Sequence, residues 1–326
     1  MQNLIQEWVG LVKGFTVFLL SITYGTEEMR IKLRIAWCLI GPIISKAIII
    51  IFFMGLFGCT KQSDALHKNK IKDHSDYIIR FTGSKAYNER IRFLIMHYTA
   101  LDDNHSIKEL TNGNVSAHYL IPKFDESIDG RLVVLQLVDE NKRAWHAGVS
   151  YWNGRSNLND TSIGIEVVNP GYNDISGKRI WYPYGEKQIT ALAALAKDII
   201  NRYQITPDNV LGHSDIAPLR KQDPGKLFPW KRLAAIGIGA WPDSKAVKKY
   251  LWGRSPHAQV DVGIIQSLLK QYGYEQTPQN GILDENTRKI ISAFQMHFRQ
   301  SDISGNADAE TEAIVRALLE KYRQHT

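Results

Sequence analysis

RFLIMHYTA, residues 92–100, is a short apolar run that ends on a histidine and a tyrosine. A run of this length, rich in Ile, Leu and Phe and bounded by polar residues, reads as a strand over 92–97. Residues 132–138, 162–168 and 209–213 have the same character. Longer polar or helically patterned stretches separate them. Across 186–203, Ile189, Leu192, Leu195, Ile199 and Ile200 recur at helical spacing, and Pro207 follows as a stop. Short strands alternating with helices predict an α/β fold.

Outward from this region the chain divides. The segment 77–250 carries the α/β pattern, 242–255 reads as a linker or surface strap, and a second unit runs over 256–326. That unit has apolar stripes at Ile264/Ile265/Leu268/Leu269/Tyr272, at Ile290/Ile291/Phe294 and at Ile314/Leu318/Leu319, which predict a small bundle of three helices. Residues 60–76 are polar and without periodicity, and read as a tether.

The first 59 residues read as a targeting segment. AIIIIFFMGLF, residues 47–57, is too short for a membrane span, which needs about 20 residues, and has the length of a signal-peptide core. Arg30, Lys32, Arg34 and Lys46 precede it, and it ends in Leu56-Phe57-Gly58-Cys59. This ending resembles the lipobox of bacterial lipoproteins, which implies acylation of Cys59 and a lipid anchor; a longer membrane helix is the competing reading, and Lys46 interrupts it. The apolar stretch 15–22 is unusual ahead of such a segment and makes Met29 a candidate start.

The net charge is +7, but beyond residue 59 there are 35 basic against 30 acidic side chains, an excess that selects no partner and gives no sign of nucleic-acid binding. The two cysteines, Cys38 and Cys59, both lie in the targeting segment, so neither a disulfide framework nor a cysteine-rich metal site is available downstream.

A catalytic zinc site needs three protein ligands and an open position. Among ten histidines, His97 and His213 each close a strand candidate, and Asp223 follows in the turn KQDPG. Spacing alone does not select this trio, because a histidine at a strand end is more often structural or solvated. In SIGIEVV, Glu166 alternates with Ile163, Ile165 and Val167, so its carboxylate projects away from the apolar face. Lys221 precedes Asp223 by two residues, which in an extended segment puts both side chains on one side.

Taken together and in order, IMHYTA (95–100), SAHYLI (116–121), AWHAGVS (144–150), SIGIEVVN (162–169) and LGHSDIAPLRKQDPGKLFPW (211–230) resemble the zinc-dependent N-acetylmuramoyl-L-alanine amidases of the Amidase_2 family. That resemblance implies a mixed central sheet flanked by helices, as in peptidoglycan recognition proteins. It implies zinc held by His97, His213 and Asp223, with Glu166 and Lys221 as the catalytic pair. Tyr119, Trp145, His146 and Asn169 fall where the family borders its cleft, and packing roles are equally open to them. The implied reaction is hydrolysis of the amide joining N-acetylmuramic acid, or its 1,6-anhydro form, to L-alanine in peptidoglycan or muropeptides. A non-catalytic peptidoglycan receptor and a zinc endopeptidase of the stem peptide are the alternatives. Gly281, Asp284, Thr287, Phe294 and Gln295 resemble a peptidoglycan-binding domain, in which they serve as turn, helix cap and core. With the lipobox, the likeness implies an outer-membrane lipoprotein facing the periplasm; no protein partner is implied.

Overall fold

The computed structural model describes residues 71–124 and 126–323. The predicted targeting segment with Cys59, and the tether up to residue 70, lie outside the described residues. The last part of the predicted tether is ordered differently from expectation: Ile71–Asp73 pairs antiparallel with Ile78–Arg80 in a two-stranded hairpin. The described residues up to Tyr87 and those from Asn88 onward belong to separate units; everything below concerns the second. No helix among the described residues is long and apolar enough to cross a membrane.

The second unit is built on a five-stranded mixed sheet: β1 (Phe93–Tyr98), β2 (Tyr119–Ile121), β3 (Leu135–Gln136), β4 (Ser162–Val167) and β5 (Val210–Gly212), in the spatial order β5-β1-β4-β2-β3. β4 runs parallel to both β1 and β2, β5 runs parallel to β1, and only β3 is antiparallel. Phe93, Leu94, Ile95 and Met96 are consecutive and all buried, because β1 is central and covered on both faces. β2 was not anticipated, being three residues long, and the expected strand 132–138 is instead divided between a hairpin strand Arg131–Leu132 and β3.

Of the helices, α1 (Asp103–Thr111) starts at the Asp102 cap and α2 (Glu186–Tyr203) lies against the sheet. The α2 stripe Ile189, Leu192, Ala196 and Ile199 is buried, and Gln188 ties its first turn to the end of β4 by donating to Val168 O. α3 (His213–Ile216) follows β5 directly, and α4 (Trp230–Ala235) follows the Asp223 loop. The expected strap contains a helix, α5 (Ser244–Leu251), capped by Asp243 and packed along the final helix.

The C-terminal helices α6 (Val262–Tyr272), α7 (Glu285–Phe298) and α8 (Ala309–Tyr322) occur where the stripes place them. Asp261, Asp284 and Asp308 each cap the helix that follows. A motif occurs twice here. Gln266 accepts from Gly281 N–H and donates to Thr287, and Gln295 accepts from Gly305 N–H and donates to Thr311. One apolar cluster joins this bundle to the sheet: Phe93, Trp152, Leu211 and Ile216 share it with Tyr272, Tyr274, Phe294 and Phe298. Each such side chain, once buried, stabilises the fold by about 1.5–3 kcal/mol.

Candidate active site

Parallel pairing of β1 and β4 sets His97 directly beside Glu166, so two residues 69 positions apart in the chain share one edge of a cleft. His213, expected at the end of a strand, is instead the first residue of α3, at the C-terminal end of β5. Asp223 comes from the loop that follows, and Ser214 N–H donates to Asp223 O at 2.8 Å, tying that loop to α3. The cleft, of about 370 Å³, is lined by His213, Asp223, Glu166, Lys221, His146 and Trp145, with Tyr98 and Tyr172 on its walls.

Three heteroatoms converge there. His97 Nδ1 lies 3.0 Å from His213 Nδ1 and 2.9 Å from Asp223 Oδ2, and His213 Nδ1 lies 3.0 Å from the same oxygen. All three side chains are buried. The outer nitrogens bear on the tautomers. With Nε2 protonated, His213 donates to Ala147 O at 3.0 Å, and the Arg220 guanidinium lies 3.3 Å from the same nitrogen. The Ser162 hydroxyl donates to Leu158 O, so Ser162 Oγ accepts from His146 Nε2 at 3.2 Å; His146 Nδ1 then accepts from His97 Nε2 at 3.0 Å. Both inner Nδ1 atoms are left with lone pairs facing a carboxylate oxygen. Three acceptors at such distances repel unless a cation lies among them. Tetrahedral zinc with ligands at about 2.0–2.1 Å requires ligand–ligand edges of roughly 3.3 Å, close to this triangle. The residues therefore fit a zinc ion.

The electrostatics agree. Burial, and then the neighbouring His213, push the His97 imidazole down to about 4, so it is neutral and available as a ligand at neutral pH. Glu166 is pushed up to about 8 by burial and by the Asp223 charge, against the opposing pull of Lys221. Its Oε1 is 4.0 Å from His97 Nδ1, and its Oε2 is buried with no hydrogen-bond partner among the described residues. A carboxylate at the edge of the triangle and an ammonium on the same wall are the groups an amide hydrolysis calls on.

A family model described as N-acetylmuramoyl-L-alanine amidase (Amidase_2) matches residues 87–226, and one for a peptidoglycan binding domain matches 259–315. The N-acetylmuramoyl-L-alanine amidase AmiD of Escherichia coli is 51% identical over 241 residues, which cover 74% of this chain and 87% of that protein. The chain belongs to the N-acetylmuramoyl-L-alanine amidase family. Two solved structures are similar to this chain. The complex of E. coli AmiD with the substrate anhydro-N-acetylmuramic acid-L-Ala-D-gamma-Glu-L-Lys superposes with a TM-score of 0.74 at 48% identity, covering 78% of this chain and 98% of that one. Pseudomonas aeruginosa AmpDh3 with anhydromuramic pentapeptide gives 0.67 at 44%, covering 77% and 98%.

Within this amidase site the structure separates the remaining sequence candidates. Trp145 is 56% exposed at the cleft, with the Arg143 guanidinium 4.3 Å over its ring. Tyr119 is not among the lining residues, since its hydroxyl donates to Glu140 Oε1 at 2.7 Å in a cluster with Arg202 and Tyr203. Asn169 is likewise turned inward: its Nδ2 donates to Tyr182 O and Pro183 O, and its Oδ1 accepts from Gly171 N–H, which clasps a loop. For both, the side-chain polar atoms are engaged within the fold.

His146 lines the cleft, but its nitrogens are spent on His97 and Ser162. Its ring lies against Gly164, where a Cβ would come within 2.4 Å of His146 Cγ; the glycine in SIGIE is there to admit the imidazole. Arg220 was also missed. It donates to Ala147 O and Val149 O and so pins the 147–149 loop against His213. Only the tertiary contacts reveal these two roles; the nearest signal in the sequence is the glycine at 164, out of place in an otherwise β-branched strand.

Proposed function

We propose that this chain hydrolyses the amide between the lactyl group of N-acetylmuramic acid, or its 1,6-anhydro form, and L-alanine, with zinc held by His97 Nδ1, His213 Nδ1 and Asp223 Oδ2. The observation that carries the reading is the triangle of three lone-pair atoms with a buried carboxylate at its edge. When bound, zinc supplies Lewis acidity toward a carbonyl and a water, which lets an amide react near neutral pH. Glu166 takes a proton through the carboxylate that faces the triangle and returns it to the leaving amine. Lys221, on the same wall, stabilises negative charge developing on the carbonyl oxygen. Trp145 offers its exposed face to the sugar or the stem peptide.

The anhydro-muropeptides in the two relatives' structures support a substrate of that class. The match to a peptidoglycan binding domain supports a role for the bundle at the wall. Mass spectrometry of muropeptides before and after incubation, with metal content measured on the same sample, tests the reading. Free stem peptide beginning with L-alanine, together with one zinc per chain, is expected. Cleavage within the stem peptide instead would move the protein to the endopeptidase reading, and intact muropeptides beside bound zinc to the receptor reading.

We further propose that Cys59 is acylated and holds the protein on the outer membrane, facing the periplasm; two or more acyl chains anchor stably where one does not. Radiolabelled palmitate should enter the parent chain and not Cys59→Ser. An unlabelled parent sinks this part of the proposal.

A further inference from the structure

Asp215 is a buried carboxylate that the reaction does not use. It stands two residues after His213 on α3 and is 1% exposed. Its Oδ2 accepts from Gly212 N–H at 2.7 Å and from His297 Nδ1 at 2.7 Å, and its Oδ1 accepts the Tyr274 hydroxyl at 2.5 Å. Gly212 closes β5. Tyr274 and His297 belong to the C-terminal bundle, on the turn after α6 and on α7. The His297 ring is held in turn by Trp230, stacked at 3.8 Å and 17°.

The apolar cluster already joins bundle to sheet, and a carboxylate inside it carries a desolvation cost that packing alone does not call for. What three donors give that packing does not is direction. They fix the first turn of α3, which carries His213, and Ser214 of the same turn donates to Asp223 O. His213 thus sits on a short helix that the bundle contacts through Asp215, and the Asp223 loop is tied to the same helix by its backbone carbonyl.

We infer that Asp215, Tyr274 and His297 are positioning residues, a clamp through which the C-terminal bundle sets the geometry of the His213 and Asp223 ligand atoms; the inference rests on the zinc assignment made above. The bundle, matched by family to wall binding, then has a second task at the metal site. Outer partners of metal ligands change metal affinity by about 10–100-fold when removed, and a loss of that size is expected here.

The test uses the full chain in detergent, comparing the parent with Tyr274→Phe, His297→Leu and His297→Asn. Leucine and asparagine have nearly the same shape, but only asparagine carries a donor near the place of Nδ1. Zinc affinity by competition with a chromophoric chelator, the visible spectrum of the cobalt-substituted protein, and kcat and KM are read for each. Tyr274→Phe and His297→Leu should bind zinc about 10–100-fold more weakly, shift the cobalt bands and lose kcat with KM unchanged, and His297→Asn should recover most of the affinity. Equal zinc affinity for His297→Leu and His297→Asn overturns the clamp, as does parent-like affinity and spectrum in both Tyr274→Phe and His297→Leu. A parent chain that takes up no zinc under the same conditions brings down the ligand assignment, and the clamp with it.

Discussion

Two buried aspartates, one within the short helix α3 and one in the loop that follows it, have opposite surroundings. Asp215 is met by donors: a backbone N–H, a hydroxyl and an imidazole N–H. Asp223 is met by two imidazole nitrogens whose own protons are directed elsewhere, to Ala147 O and to His146. Both clusters contain an aspartate and a histidine, and both are buried. The difference lies in the count of donors against acceptors. Where donors surround a carboxylate it is held within the fold, as at Asp215; where only acceptors face each other the cluster is open to a cation. Composition does not separate these two Asp–His clusters, but the number of donors that reach each carboxylate does.

Substituting on the open side breaks the contrast most severely. Asp223→Ala removes one vertex of the triangle, and the expectation is loss of bound zinc and loss of activity to background, read by metal analysis and product release on the same preparation. Full activity with one zinc per chain would move the ligand set elsewhere. Glu166→Gln separates base from ligand. It should keep the metal and the fold while the rate falls by about 10²–10⁴-fold, and a rate within twofold of the parent would exclude Glu166 as the proton carrier.

The smallest effect is one of stability. In chelated protein the folded Glu166 pKa is raised to about 8 from an ordinary 4.5, so the folded state binds the proton more tightly than the unfolded state. Its contribution is present in full below about 4.5 and is lost as the pH rises through 8. His97 works in the other direction at lower pH, its pKa being lowered from 6.5 to about 4, so its own term improves as the pH rises across that range. Comparing Glu166→Gln with the parent cancels the His97 term: urea midpoints of the two chelated proteins should draw apart in favour of the variant between pH 5 and 8. Parallel midpoints across that range would mean that Glu166 ionises as an ordinary carboxylate.

Much of this site is legible in the chain. β1 and β4 announce themselves by apolar runs, α2 by its stripe, and the three side chains that converge in the cleft by their place in the ordered motifs. What stayed hidden depends on contacts distant in sequence. β2 is too short to carry a pattern, and its place beside β4 is set by pairing. His213 looked like a strand end because GHSD follows an apolar run, whereas Asp215 accepts Gly212 N–H and turns the chain into a helix. α5 hides in a segment with two prolines nearby and no fully buried residue. Tyr119 and Asn169 lie near the cleft in sequence, yet Glu140 and the 182–183 carbonyls claim their polar atoms.

The pairing of His97 with Glu166 across adjacent parallel strands also governs which length changes the gene can survive. Side chains alternate faces along a strand, so one codon gained or lost within 163–165 would turn Glu166 to the opposite side of the sheet while His97 stayed in place. The hairpins Tyr151–Trp152/Arg155–Ser156 and Tyr172–Ile175/Lys178–Trp181 lie outside the five-stranded sheet, and a change of length at their tips leaves that register untouched. Insertions and deletions among descendants of this sequence should therefore collect at the hairpin tips, and the spacing from 162 to 167 should persist even where the residues themselves drift.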